Sequence, residues 1–160
     1  MTATHCLTAS MIEVGMRHES RLSFSREDVE HYCRLVGDHN AIHRDLAAAR
    51  VRFPEARDII VPGGLIQTRI SAIFGTAFPG DGTLGLTFVP ERLRRPIYPG
   101  DDLVITIEVA RILRGGILEM RIGVADPEGN RVTEATAKVV PPDDAYHQWW
   151  QDQIAHQDTN

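Results

Sequence analysis

The sequence predicts a single α+β domain: an antiparallel sheet wrapped around a long central helix. Two patterns carry that expectation. From Leu65 to Phe78 the chain has helical periodicity and is apolar on most sides, through Leu65, Ile66, Ile70, Ala72, Ile73, Phe74 and Ala77. Further on, three stretches alternate apolar and polar residues, the mark of half-buried strands. A helix apolar all round must be covered by other elements, and one-sided strands supply a face to cover it. The length of 160 residues fits one domain. Its expected organisation is an arm over 1–15, the folded body over 16–142 and an extension over 143–160.

In chain order, the arm is weakly patterned, and Arg17 to Phe24 reads as a short strand. Ser25 is an N-cap residue with Asp28 three positions on, a helix start. Val29, Tyr32 or Cys33, and Val36 follow at helical spacing, and Gly37 is a natural terminator because glycine tolerates the left-handed conformation. Asp38 to His43 is a loop. Asp45 caps a short helix, Leu46 to Arg52, closed by Phe53-Pro54. Ile59-Ile60-Val61 leads into Pro62-Gly63-Gly64 and the central helix, which Phe78-Pro79-Gly80-Asp81-Gly82 breaks.

Thr83 to Leu93 reads as a strand, with Pro90 marking a bulge or an edge. Tyr98-Pro99-Gly100-Asp101 is a turn. Leu103, Ile105, Ile107 and Val109 then face one way, as do Leu118, Met120, Ile122 and Val124 after a Gly115-Gly116 hairpin. Thr133, Ala135, Ala137 and Val139 repeat the pattern after another turn, and Pro141-Pro142 ends the sheet. The open edge of such a sheet is expected to be covered by pairing in a dimer. The extension is polar apart from Trp149 and Trp150, which are expected to pack it onto the body or a partner chain.

Composition excludes several classes. Hydrophobic residues make up 42% and charged residues 24%, which rules out wholesale disorder. The net charge of -5 disfavours general nucleic-acid binding, which needs a basic face. The N-terminal residues lack a basic stretch followed by an apolar one, and no apolar run is long enough to span a bilayer, so a cytoplasmic, reducing setting is expected. Cys6 and Cys33 cannot by themselves form a structural zinc site, and Cys33 reads as a buried free thiol. His5, His18, His31, His147 and His156 are expected at surface or tail positions.

Three groups of residues bear on chemistry. In Gly37-Asp38-His39-Asn40-Ala41-Ile42-His43, a carboxylate and an imidazole five residues apart can converge on one water, one as anion and one as proton carrier. Asn40 can hold that loop through its amide. Asp38, His39 and His43 lack the ordered spacing of a metal motif, and no metal is expected. Gly63 and Gly64 open the central helix, where unpaired N–H groups can receive a carbonyl oxygen that gains charge. Arg92, Arg94 and Arg95 can grip phosphates. The same residue types also make ordinary loops, helix starts and solvated strand ends, so each group read by itself leaves both meanings open.

Together and in order, these pieces resemble the MaoC-like, (R)-specific (type 2) enoyl-CoA hydratases. Their Gly-Asp-x-Asn-Pro-[Leu/Ile/Val]-His signature is matched by Gly37 to His43, with Ala48 and Ala49 following. The opening of their central helix, Val-His-Gly-Met-Leu, is matched by Val61-Pro62-Gly63-Gly64-Leu65, and their Pro-Gly-x-Gly loop by Pro79 to Gly82. Their Phe-x-x-Pro-Val-x-x-Gly-Asp segment is matched by Leu93 to Asp101. Ala41 replaces the usual Pro, and Pro62 and Gly64 replace the usual His and Met.

The resemblance implies the hot-dog fold, dimerised edge to edge. It also implies reversible syn hydration of a trans-2-enoyl thioester to an (R)-3-hydroxyacyl thioester of CoA or an acyl carrier protein. Asp38 and His43 would then be the catalytic pair. Gly63, helped by Gly64, would hold the thioester oxygen, with Asn40 supporting the loop. Thr68 falls where many relatives carry a Ser. Arg92, Arg94 and Arg95 are compatible with contacts to CoA or phosphopantetheine and equally with an acidic carrier protein. No cofactor is implied beyond the substrate's own CoA or phosphopantetheine. Related alternatives are addition of another nucleophile such as an amine, a dehydratase on a carrier-bound chain, a hot-dog thioesterase, or a non-catalytic heterodimer subunit.

Overall fold

The computed structural model describes residues 5–157, so the ends of the expected arm and extension, 1–4 and 158–160, lie outside the described residues. Five strands form one antiparallel sheet: β1 (Arg17–Leu22), β2 (Leu84–Pro90), β3 (Leu103–Ile112), β4 (Leu118–Ala125) and β5 (Arg131–Val140). Their spatial order is β1-β3-β4-β5-β2, with β3 to β5 as a meander and β1 and β2 at the edges. The helices are α1 (Arg26–Val36), α2 (Leu46–Arg52), α3 (Gly63–Thr76) and α4 (Asp144–Gln157). None of the described helices is long and apolar enough to cross a membrane.

The alternation in the second half has the predicted meaning. Leu103, Ile105, Ile107 and Val109 of β3, and Leu118, Met120, Ile122 and Val124 of β4, are buried. On β5 the small Ala135 and Ala137 lie opposite Ile122 and Met120. Small residues facing large ones let α3 settle onto the sheet, where Ile66, Ile70 and Phe74 join the same apolar core.

Three expectations need correction. The central helix starts at Gly63 and ends at Thr76, and it is not buried all round: Gln67, Thr68, Arg69, Ser71 and Ala72 are exposed. The sheet reaches only one side of the helix, and among the described residues of a single chain the other side is left exposed. The strand expected over 83–93 stops at Pro90, although Glu91 and Arg94 still donate backbone hydrogen bonds to Glu134 and Val132. Finally, the extension is helical through α4, and its anchors are Tyr146 and His147 rather than the tryptophans. The Tyr146 hydroxyl donates to Asp81 at 3.3 Å, and His147 Nδ1 donates to the Cys6 carbonyl. Trp149, by contrast, remains 50% exposed.

That anchoring explains two glycines of the Pro79–Gly82 loop. Gly80 pairs with Cys6 in an isolated bridge, and a Cβ there would stand 1.9 Å from the His5 carbonyl oxygen. A Cβ on Gly82 would stand 2.5 Å from the Tyr146 ring. Both residues have positive φ, so side chains are disfavoured by conformation and by space together.

The start of α1 is a complete capping box. Ser25 accepts from the Asp28 N–H, and the Asp28 carboxylate accepts from the Ser25 N–H at 2.8 Å. Those hydrogen bonds from Ser25 hold the Asp28 carboxyl below its usual pKa. A carboxyl depressed by folding stabilises the native state above its unfolded pKa and loses that contribution as pH falls through its folded value. Asp28→Asn is therefore expected to lower Tm at pH 7. The difference from wild type should shrink on acidification through pH 4 toward 3, followed by thermal melts. A gap that stays constant across that range would show the carboxylate charge to be unimportant.

Candidate active site

The polar loop is built by the end of α1. Gly37 adopts φ 70°, and the N–H groups of Gly37 and Asp38 both turn back to the Cys33 carbonyl. This closure swings Asp38 out of the helix. Its Oδ1 accepts from the Asn40 N–H at 2.9 Å, and the Asn40 side chain caps the single 3-10 turn Ala41–His43 by accepting from the Ile42 N–H. Asn40 thus braces the loop. The role that a proline at 41 would play, restricting the backbone, falls here to these two side-chain caps.

His43 is 10% exposed at its side chain and pinned from behind. Its Nδ1 lies 2.7 Å from the Ile60 carbonyl oxygen. A carbonyl can only accept, so Nδ1 carries the proton, and in the neutral ring Nε2 keeps its lone pair. That Nε2 faces Asp38 Oδ2 at 3.7 Å. The separation is too long for a good direct hydrogen bond and leaves both atoms able to contact one polar group lying to the side of the line between them. The Ile60 segment is itself fixed, since Ile60 N–H donates to Ile42 O and Val61 N–H to Ile97 O.

The pair opens onto a cavity of about 530 Å³, lined also by Arg26, Glu30, Cys33, Arg34, His39, Arg44 and Ile59. Cys33 is a buried free thiol, and burial with the nearby Asp38 charge pushes its pKa up, away from thiolate reactivity. The arginines of this wall were not singled out by sequence reading. The signal was there: Arg26, Glu30 and Arg34 are four residues apart on α1, one helix face leading to Asp38. Arg26 pairs with Asp58, Arg34 approaches Glu30 at 3.8 Å, and Arg44 donates to the His39 carbonyl.

Gly63 and Gly64 are the first two residues of α3, and the preceding Pro62 gives no side-chain cap. Neither N–H has an intrahelical acceptor at that position. Both glycines are hemmed in. A Cβ on Gly63 would stand 2.9 Å from Leu93 Cδ1, and one on Gly64 2.1 Å from Tyr32 Oη. Gly64 lines a second cavity, of about 450 Å³, with Tyr32, Thr68 and Ser71. Thr68 is exposed, and its hydroxyl donates to Gly64 O at 2.9 Å. In a single chain the Asp38–His43 pair and the glycine backbone therefore line separate cavities. They are tied closely all the same: the carbonyl that holds His43 is three residues before Gly63, at most about 10 Å of chain.

The third predicted group does not gather. Arg94 pairs with Glu134 at 3.1 Å and Arg95 with Asp126 at 2.9 Å. Neither they nor Arg92 line the two cavities just described, and Arg95 borders a different one with Arg57, Tyr98 and Asp126.

No protein-family model matches the chain. Individual proteins do. A 3-hydroxybutyryl-CoA dehydratase of Methylorubrum extorquens is 31% identical over 105 residues, 64% of this chain and 63% of that protein. A mitochondrial 3-hydroxyacyl-[acyl-carrier-protein] dehydratase of Solanum lycopersicum is 25% identical over 105 residues, 66% of this chain and 61% of that protein. The chain thus spans less than two thirds of the length of these two relatives. Among solved structures, the unliganded (R)-hydratase PhaJ1 of Pseudomonas aeruginosa superposes with a TM-score of 0.78 at 30% identity, covering 86% of both chains. Identity at that level across nearly the whole of both folds joins sequence to architecture: this chain belongs to the MaoC-like, (R)-specific enoyl-CoA hydratase family and has its hot-dog fold.

Proposed function

We propose that this chain catalyses reversible hydration of a trans-2-enoyl thioester to the (R)-3-hydroxyacyl thioester, through Asp38 and His43. The observation that carries the reading is the 3.7 Å gap between Asp38 Oδ2 and His43 Nε2, with Nδ1 held by Ile60. A water touching both atoms from the open side of the pair is oriented by the carboxylate and can give a proton to Nε2 as its oxygen attacks the β-carbon. The electron pair of the double bond moves toward the carbonyl, and the α-carbon then takes a proton delivered by the pair. The Gly63 and Gly64 N–H groups receive the thioester oxygen as its charge grows. The thioester itself activates the β-carbon, so the reaction needs no metal or other cofactor.

CoA and an acyl carrier protein both present the required thioester, and relatives that act on each are known by name. The test is an ultraviolet assay of crotonyl-CoA. Loss of the conjugated enoyl absorbance without release of free thiol is expected. Thiol release at the same rate would instead make the chain a thioesterase.

The chain is also proposed to work as a homodimer. β2 is an edge strand exposing Leu84, Leu86 and Val89, and the uncovered face of α3 borders it across the second cavity. Pairing β2 edges between copies would cover both surfaces. Like charges facing each other across paired edge strands repel, so Leu84→Lys/Val89→Lys is expected to halve the mass measured by light scattering from twice 17.8 kDa. A wild-type chain that is monomeric at all concentrations would remove this part of the proposal.

A further inference from the structure

Tyr32 lines the second cavity, that of Gly64, and its neighbour on α1, Cys33, lines the first, that of the Asp38–His43 pair. Its ring packs against the main core, which fixes the direction of the hydroxyl. That hydroxyl lies where a side chain at 64 would begin: a Cβ on Gly64 would be 2.1 Å from Oη and 3.2 Å from Cζ. Gly64 and Tyr32 are therefore one unit, since any larger residue at 64 displaces the hydroxyl.

No other protein group among the described residues hydrogen-bonds the Tyr32 hydroxyl. Without a protein partner and not sealed from solvent, the hydroxyl is open to donate to a ligand that enters the cavity, which a phenylalanine could not do. The phenol O–H is a hydrogen-bond donor. Its neighbour is the backbone that receives the thioester oxygen in the proposed reaction.

We propose that Tyr32 is a further catalytic residue, whose hydroxyl donates a hydrogen bond to the thioester carbonyl oxygen beside Gly64. This rests on the thioester reading of the site. During hydration the water O–H bond breaks, a C–O bond forms at the β-carbon, and the double-bond electron pair passes through the enolate to a new C–H bond at the α-carbon. Tyr32 keeps its own proton throughout. Its hydrogen bond strengthens as the oxygen becomes an enolate and relaxes when the α-carbon is protonated.

The test is Tyr32→Phe, which preserves the ring and removes one oxygen. On crotonyl-CoA, kcat is expected to fall by about a hundredfold to a thousandfold, the scale of one lost oxyanion donor, with KM changed little. A second readout does not depend on turnover. Binding of 2,4-hexadienoyl-CoA should shift its absorption band to longer wavelength as the carbonyl is polarised, and Tyr32→Phe should shrink that shift. Gly64→Ala should reproduce the loss by pushing the hydroxyl away, and combining it with Tyr32→Phe should add little further. A Tyr32→Phe enzyme with wild-type kcat and a wild-type band shift would overturn the proposal, as would fully additive losses in the double variant. If the wild type leaves crotonyl-CoA unchanged, the hydration reading fails, and the band shift still decides whether Tyr32 polarises the carbonyl.

Discussion

Asp38→Asn is expected to lower turnover of crotonyl-CoA by about a thousandfold, within the range for losing a positioned general acid–base group. The substitution is nearly isosteric. The amide oxygen can still accept from the Asn40 N–H, so the loop that now closes at 2.9 Å keeps its geometry. What disappears is the negative charge facing His43 Nε2, and with it the orientation of the attacking water and the stabilisation of an imidazolium. KM should change little, because the charge acts on the reacting groups and not on the bulk of the substrate. His43→Ala is expected to cost as much activity. It also severs the bond to the Ile60 carbonyl, so its Tm should fall where that of Asp38→Asn does not. Both are read in the enoyl absorbance assay with melting curves alongside. An Asp38→Asn enzyme of undiminished activity would sink the assignment of the pair.

The second large effect is on stability. Ile107 is fully buried at the middle of β3, with His18 of β1 on one side and Ile122 of β4 on the other. Ile107→Ala removes three carbons from a packed interior and leaves a cavity that rigid neighbouring strands cannot collapse into, a cost of about 2–5 kcal/mol. For a domain of this size that is a fall in Tm of roughly 5–15 °C. Val51→Ala makes the contrast: Val51 is 88% exposed on α2, and its truncation is expected to change stability by less than about 0.5 kcal/mol. Equal losses in thermal melts of the two variants would mean that the sheet centre does not carry the core.

Much of this was legible in the residues. The alternation through β3, β4 and β5 named the buried face residue by residue, because a strand's side chains have no other period available to them. Ser25, Asp28, Gly37 and Asp45 marked helix ends correctly, because caps are local chemistry: a side chain answering the N–H or C=O groups of its own few neighbours. The closeness of Asp38 and His43 was implied by five residues of spacing in a turn-rich loop, and the resemblance supplied the roles proposed for them.

The remainder needed partners distant in the chain. Gln67, Thr68, Arg69 and Ser71 stand on the face of α3 that the sheet leaves bare, but apolar residues outnumber them along the helix, and how far five strands curve around it is not a local property. The helical extension was hidden because its anchors, Tyr146 and His147, find Asp81 and Cys6, residues remote in sequence. Arg94 and Arg95 could be counted but not assigned until Glu134 and Asp126 appeared beside them. Tyr32 read as one more apolar position of an amphipathic helix, and only the approach of α1 to Gly64 gives its hydroxyl a place at the site. Local periodicity and capping are decided by neighbours within a few residues and are written in the sequence. Which side chains meet across the fold is decided by packing, and that exists only when the whole chain is in place.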